Sequence, residues 1–508
     1  MPPKRNYSFV PHLLRRWYWA LAVLLTAAVW AAVSLAMLPR EDREGSYSSR
    51  PYGYTTGLED SALDLLFQLR DARRKETRAR GLAEPITLVE VDEESIRASN
   101  VRLQRWPRDW YARLIDRASE AGANTIGLDV YVSEAGGLSE LDKEADAKLV
   151  ESISNAGNVV LVHKLPEGGS EAIVPLPEFA EAAWAIGFAD LPSDDAISVR
   201  SAQVTKLRRE ADGKVAVLDS FGSMLAQGFT EQQITKLGEL TLRLGERLIP
   251  LRNDGNLQID FRGRTPSFTR VSAKDILCAE FKRTSAPDAA CDPSKQLAAE
   301  LFRDRIVIIG ATNNDAPDLF GTPYYLPNPF PNRLMLRLFD SEVATVGKHM
   351  PGIEVHANVA ATLLNGKHLA RPTYARQTLF VLAPLVIVAL GLFRLRAVWG
   401  LVITLAAGLG ILAFSAWAFE TRGLILPLAS AELATLGLLA PTGFLLRYAH
   451  ERAQREEQEA ERAAIMDIFS RCVSPEVADE LYSKGEVVLG GELRVVTLIF
   501  TDIRGFTT

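Results

Sequence analysis

Hydrophobic residues in this chain follow two patterns: a few long unbroken blocks and, between them, short runs at strand or helix spacing. Four blocks are long enough to cross a bilayer, which takes roughly 20 helical residues at about 1.5 Å each. They cover residues 17–38, 378–396, 398–418 and 423–446. The first carries no charge and ends at Pro39-Arg40. It is longer than the apolar core of a signal peptide and lacks a convincing small-residue cleavage site, so a cleaved leader is the weaker alternative. Lys4, Arg5, Arg15 and Arg16 precede it, Arg394 and Arg396 close the second block, and Arg447, Arg452 and Arg455 follow the fourth. The positive-inside rule then predicts four crossings of a cell (inner or plasma) membrane: residues 1–16 cytoplasmic, 40–375 outside, and the segment after 446 cytoplasmic again.

Short-period patterning fills the outside segment. Ile86–Val91 reads as a strand, and WYARLIDRASEAGA places Trp110, Leu114, Ile115 and Ala118 at helical spacing before Gly122 stops it. Thr125–Val132 is a second predicted strand. A helix with Leu141, Ala145, Leu149 and Ile153 on one face follows, then a third strand at Asn158–Val162. Such alternation predicts a parallel sheet flanked by helices. Further on, VTKLRREADGKVAVL turns at Asp212-Gly213 and IPLRNDGNLQIDF at Asn253–Asn256, both hairpin signals. Arg305–Gly310 is another buried strand, and residues 315–350, rich in Pro, Asn and Phe, read as a long surface loop. The expected fold is one mixed α/β domain of more than 300 residues joined to four membrane helices.

Composition adds limits. At 508 residues, 47% hydrophobic and 24% charged, there is room for two or three domains. A net charge of -6 gives no hint of a nucleic-acid partner. Cys278 and Cys291 both fall in the outside segment, separated by the turn-rich AEFKRTSAPDAA, where an oxidising compartment would close them into a disulfide worth about 3 kcal/mol. Two unrelated buried thiols is the alternative. Cys472 lies on the inside and is expected to be reduced.

A set of short motifs runs through this segment in order: Leu58-Glu59-Asp60 to Leu69-Arg70, Val91–Ser95, Trp106-Pro107-Arg108, Gly127-Leu128-Asp129, Phe261-Arg262-Gly263, Ile308-Ile309-Gly310 with Asp318, and Pro351–Asn358. Together, across about residues 45–370 and the three closely spaced helices that follow, they resemble the second class of CHASE extracellular sensory domains. That resemblance implies an extracytoplasmic sensor of undefined ligand, fused to a cyclase or kinase. Asp92, Asp129 and Asp318 stand near strand ends, where open α/β sheets hold ligands. Each also fits a helix cap or turn, as Asp92 before ESIRAS suggests. His356, two residues after Glu354 at an expected strand-to-helix junction, reads as a packing or orienting histidine that could line a sensor pocket. No phosphate loop, GxSxG elbow or HExxH pattern is present in the sequence.

Glu432 lies inside the fourth block, a costly depth for an acid. It reads as hydrogen-bonded to a neighbouring helix or symmetry mate, with proton-coupled transport as the rival. Residues 447–472 form a charged helix without Gly or Pro, in which Ala449, Ala453, Glu456, Ala460 and Ala463 make a poor heptad seam. Marginal pairing of that kind suits a two-state signalling helix in a homodimer, with a simple solvated helix as the equal alternative.

The stretch from residue 473 to 508, with VSPEVADEL, a GGE-R turn and VVTLIFTDIRGFTT, resembles the opening of class III nucleotide cyclases. The resemblance implies an α+β, ferredoxin-like catalytic domain that makes a cyclic nucleotide, preferably cAMP from ATP rather than cGMP from GTP, at a site formed between two protomers. Asp502 and the Ile503 carbonyl would hold Mg²⁺ or Mn²⁺, two ions per complete site, and the amides around Gly505, Phe506 and Thr507 would cradle phosphate. Hard cations want such oxygen donors, and glycine lets backbone approach phosphate. The remaining catalytic groups of that family fall beyond residue 508, so the chain is expected to be truncated and inactive alone. A receptor with a non-catalytic, cyclase-like output domain is the second reading, and a transporter the third.

Overall fold

The computed structural model describes residues 9–38, 55–72, 81–137, 139–166, 171–192, 198–209, 215–292, 297–313, 318–325, 349–469, 495 and 497–499. Helix α1 (Phe9–Ala36) is followed by α2 (Thr56–Ala72), which buries the acids Glu59, Asp60, Asp64 and Asp71 together with Leu63, Leu66 and Phe67. A six-stranded sheet comes next, built from β1 (Ile86–Val91), β2 (Thr125–Asp129), β3 (Val159–His163), β4 (Ala185–Phe188), β5 (Thr269–Ser272) and β6 (Ile306–Ala311). All neighbours are parallel, in the order β5-β1-β6-β2-β3-β4. Runs such as ITLVEV and IVIIGA are apolar on both faces, as strands covered by helices on both sides must be.

One face packs on α4 (Arg108–Glu120), α5 (Glu140–Ala156) and α7 (Ala273–Thr284), through Trp110, Leu114, Leu149, Leu277 and Phe281. The short α3 (Glu93–Ser99) leads into them. The other face holds α6 (Phe221–Thr230) and α8 (Gly352–Leu364), through Phe221, Leu225, Ile353, Ala357 and Ala361. Gly127 on β2 lets α6 come close, since a Cβ there would stand 2.7 Å from the Phe221 ring. The membrane part comprises α1, α9 (Tyr374–Arg394), α10 (Ala397–Arg422) and a fourth span that starts at Leu428, passes through a π-helical stretch at Leu433–Leu439 and continues as α11 (Ala440–Phe469). Its side chains join those of α2, α8 and residues 242–261 in one continuous apolar core.

Several expectations change. The second strand ends at Asp129, not Val132, because its neighbour β6 leaves the pairing at Gly310, opposite Asp129. The third starts at Val159 and includes His163. Leu141, in the first turn of α5, is 77% exposed, while Leu149 and Ile153 carry the buried face. The turn at Arg252–Asn256 forms, with the Arg252 N–H donating to the Asn256 carbonyl at 2.8 Å, but it joins no hairpin. Arg247–Pro250 pairs with Thr241–Leu244, whereas Leu257-Gln258 pairs with Ser201-Ala202. Thr205–Arg209 and Val215–Asp219 do pair, and the turn Asp212-Gly213 lies outside the described residues. Most of the loop at 315–350 lies outside them too. The fourth span's helix starts at Leu428 rather than 423, after Pro427. Half of the supposed turn AEFKRTSAPDAA is helix, since α7 runs to Thr284.

Candidate functional site

Parallel strands end together, so their carboxyl ends bring loop residues into one crevice. Asp92 leaves β1 as the N-cap of α3, accepting from the Ser95 N–H at 2.8 Å and from the hydroxyls of Ser95 and Ser272 at 2.7 and 2.9 Å. Those bonds occupy it structurally. Asp129 and Asp318, 189 positions apart in sequence, do meet. Burial holds the Asp129 carboxyl well above the usual range, and the neighbouring Asp318 pushes it further. Burial raises Asp318 as well, against a hydrogen bond from Gly352. Two like charges in one enclosed place favour sharing a proton, and Oδ2 of Asp129 is buried without a hydrogen-bond partner among the described residues. Tyr131, 43% exposed, stands beside them, its hydroxyl shifted upward by burial and then by Asp129, Asp190 and Asp318. Chemically this is an acid pair able to receive N–H donors. Among the described residues, no group of three or more His, Cys, Asp or Glu could hold a metal.

His356 does not sit at a strand-to-helix junction but within α8, edge-on to Phe221 with centroids 5.2 Å apart. Burial takes it down to about 4, leaving a neutral packing histidine at neutral pH. The same helix carries a polar stripe at four-residue spacing, one face of an α-helix. Glu354 accepts from the Ser267 N–H and hydroxyl at 2.8 and 2.7 Å, Asn358 Oδ1 from the Arg262 N–H at 2.8 Å, and Thr362 Oγ1 from the Asp260 N–H at 3.0 Å. These side chains satisfy a buried segment of backbone, 260–267, that belongs to no strand. Arg270 then bridges Glu354 and Glu90. Glu90, buried on β1, is pushed up to about 7 by burial, opposed by Arg270 and helped by Glu354.

Charges also join this domain to the spans through α2. Asp64 takes two bonds from Arg200, at 2.8 and 2.7 Å, and Asp71 pairs with Arg264 at 2.8 Å. Arg70 meets Asp260 at 2.7 Å, and Asp260 meets Arg262 at the same distance. Burial alone would raise Asp260, but the two arginines prevail and hold it below its usual value. Towards the membrane, Arg70 lies over the rings of Phe67 and Phe419, the latter near the end of α10. Phe67 packs edge-on to Phe419 at 5.1 Å. Glu59 accepts from the Ser430 N–H at 2.7 Å in the first turn of the fourth span, and Asp60 stands 3.7 Å from Arg371. The acids of α2 would have passed for a solvated face, because their arginines lie at least 136 positions away in the sequence.

The CHASE2 domain model matches residues 44–402. The chain belongs to the CHASE2 domain family. No curated protein and no solved structure matches it. The α/β part is thus a CHASE2 sensor domain, and with four apolar helices of membrane-spanning length the chain is a membrane protein. The matched range takes in α2, the whole sheet, α9 and the start of α10, so the ion-pair ladder of α2 is internal to the CHASE2 region. Cys278, on α7, and Cys291 are joined as a disulfide. Glu432 Oε2 is buried and finds no hydrogen-bond partner among the described residues, facing Gly408 of α10. Along α11, Ala453 is already buried within the chain, and His450 stacks on Tyr18 of α1 at 3.9 Å. Seam positions Glu456 and Ala463 are exposed. Asp502, Ile503, Gly505, Phe506 and Thr507 lie outside the described residues.

Proposed function

We propose that this CHASE2 protein is a transmembrane receptor cyclase, whose sensor domain lies outside the cytoplasm and governs formation of a cyclic nucleotide, preferably cAMP from ATP, within it. The observation that carries the reading is the unbroken helix α11, which continues the fourth span through Phe469 and leads toward the cyclase-like sequence at 473–508. Basic residues at the ends of the spans support the orientation. In the proposed catalytic domain Asp502 and the Ile503 carbonyl, hard oxygen donors suited to Mg²⁺ or Mn²⁺, would hold the ions that stabilise charge on the phosphates. The amides near Gly505, Phe506 and Thr507 would hold the phosphates, and a homodimer would complete the site. The exposed seam positions Glu456 and Ala463 of α11 support pairing of two copies beyond Ala453, which is taken up within the chain.

The test measures cAMP and cGMP in membranes containing the intact receptor, supplied with ATP or GTP and either ion. Asp502→Asn should lower formation more than about 100-fold, the order of effect of removing a group that acts on the reacting charge. Absence of product from the unaltered receptor with both nucleotides would refute the enzyme and favour a non-catalytic output domain.

A further inference from the structure

The strands Ile234–Gly238, Thr241–Leu244 and Arg247–Pro250 form a small antiparallel sheet with two unlike faces. Leu242, Leu244 and Ile249 point inward and join the apolar core shared with the spans. Strand alternation would make the outer side polar, yet Leu237 is 51% exposed, Leu240 40% and Leu248 59%. Leu248 stands opposite the exposed Arg243, and the next residue, Ile249, opposite the buried Leu242, which puts Leu248 on the outer face. Leu237 falls at a break in the pairing between Lys236 and Gly238, the kind of irregularity that re-aims a side chain. Leu240 lies in the turn between the first two strands. Neighbouring strands are about 4.8 Å apart, so the three leucines make one patch rather than scattered single residues. The patch lies where the spans end: Leu240, Pro250 and Leu251 line a cavity of about 340 Å³ with Met37, just past α1, Tyr374 of α9 and Ile425 between α10 and the fourth span. Tyr374 ties the two helix ends together by donating its hydroxyl to the Ser34 carbonyl at 2.7 Å.

Lys236, Arg243 and Arg247 are exposed around the leucines and outnumber the exposed acids Glu239 and Glu246. A second copy of the patch would bring the same excess of cations against it. A lipid leaflet instead offers apolar chains beneath phosphates, which suits leucines flanked by long basic side chains. We propose that this sheet lies on the membrane, with Leu237, Leu240 and Leu248 set into the head-group and upper acyl region of the leaflet on the sensor's side. The sensor domain is thereby fastened to the bilayer at a place separate from its own spans, whatever the output domain does. About half of each leucine is still open to solvent, and burying that apolar area on three side chains favours the docked state about 100-fold.

The test uses the full chain carrying Cys472→Ser, with the Cys278–Cys291 bond intact, in nanodiscs of phosphatidylcholine and phosphatidylglycerol. A small fluorophore is attached at Leu237→Cys, Leu240→Cys or Leu248→Cys. The control is Leu141→Cys, an exposed leucine on α5, whose packing face shares no core with the spans. Lipids bearing a nitroxide on the upper acyl chain should quench each of the three probes severalfold more than the control, and iodide in solution should give the reverse order. Leu237→Asp with Leu248→Asp should undo both effects at the Leu240 probe, since a charge below the head groups is costly. Iodide quenching of the three probes at the control's level, or an unchanged Leu240 probe in the double aspartate chain, overturns the proposal. Shielding from both quenchers overturns it as well and assigns the patch to a protein contact. If the double aspartate chain does not fold, the three single probes decide alone.

Discussion

Asp260→Asn changes one charge at the centre of the buried ladder and keeps the side chain's shape. In the native chain the Asp260 side chain is 11% exposed, between Arg70 at 7% and Arg262 at 4%, and takes a 2.7 Å contact from each. Removing one partner from a buried ion pair costs about 3–5 kcal/mol, because the remaining charge is left in a poor environment. Here the loss belongs at the lower end. Arg262 keeps Glu84 at 2.7 Å, Arg70 keeps the Phe261 carbonyl and its aromatic neighbours, and the new amide oxygen still accepts one bond. We take about 3 kcal/mol. With an unfolding entropy near 2.1 cal/mol/K per residue, a domain of about 300 residues loses about 1.6 °C per kcal/mol, so Tm should fall by about 5 °C. The assay is thermal unfolding in nanodiscs from pH 3 to 8. Since the folded Asp260 has a depressed pKa, its contribution is present above the unfolded value of about 3.9 and disappears as pH falls through the folded value. The gap between wild type and variant should therefore be constant from pH 5 to 8 and close below about pH 4. A Tm within 1 °C of wild type at pH 7 would refute the ladder as a stabilising element, and replacing Arg70 and Asp260 together by apolar residues should cost less than Asp260→Asn alone.

Glu90 predicts the opposite pH trend. Its folded value of about 7 exceeds the unfolded one, so the stability it adds is present below about pH 4.3 and lost as pH rises through 7; between pH 5 and 8 wild type should lose about 2.5 kcal/mol more than Glu90→Gln does. The same pH dependence in both proteins would refute a raised Glu90. The disulfide closes a loop of 13 positions, and reduction should lower unfolding free energy by about 3 kcal/mol in denaturant melts, an effect absent in a Cys278→Ser, Cys291→Ser protein.

The parallel sheet was legible in the sequence because strands covered on both faces read as continuous β-branched runs, and the helices between them carry apolar stripes. Ile86–Val91 and the helix around Trp110–Ala118 needed no tertiary information. The turn at 252–256 was legible as a turn, but strand partners were not, because pairing of Leu257-Gln258 with Ser201-Ala202 is a long-range choice that no local signal carries. Asp129 and Asp318 were marked by their places at strand ends, and only the fold could bring them together. The acids of α2 were missed for the same reason: burial of Asp64 and Asp71 depends on arginines far along the chain, and the amphipathic pattern alone assigns them to solvent. His356 packs on Phe221 from within α8 rather than at a strand-to-helix junction, because the helix begins four residues earlier at Gly352.

Helix α2 is placed to couple the sensor to the spans, with Glu59 fastening the first turn of the fourth. The direct test is cyclic nucleotide formation by membranes carrying the intact receptor with Glu59→Ala, Asp502→Asn serving as the zero. Loss of a charge-assisted bond to the Ser430 N–H, worth about 1.5 kcal/mol, should shift a two-state receptor about tenfold, changing output severalfold at equal receptor amount. Output equal to wild type in Glu59→Ala, with Asp502→Asn inactive, would contradict the coupling.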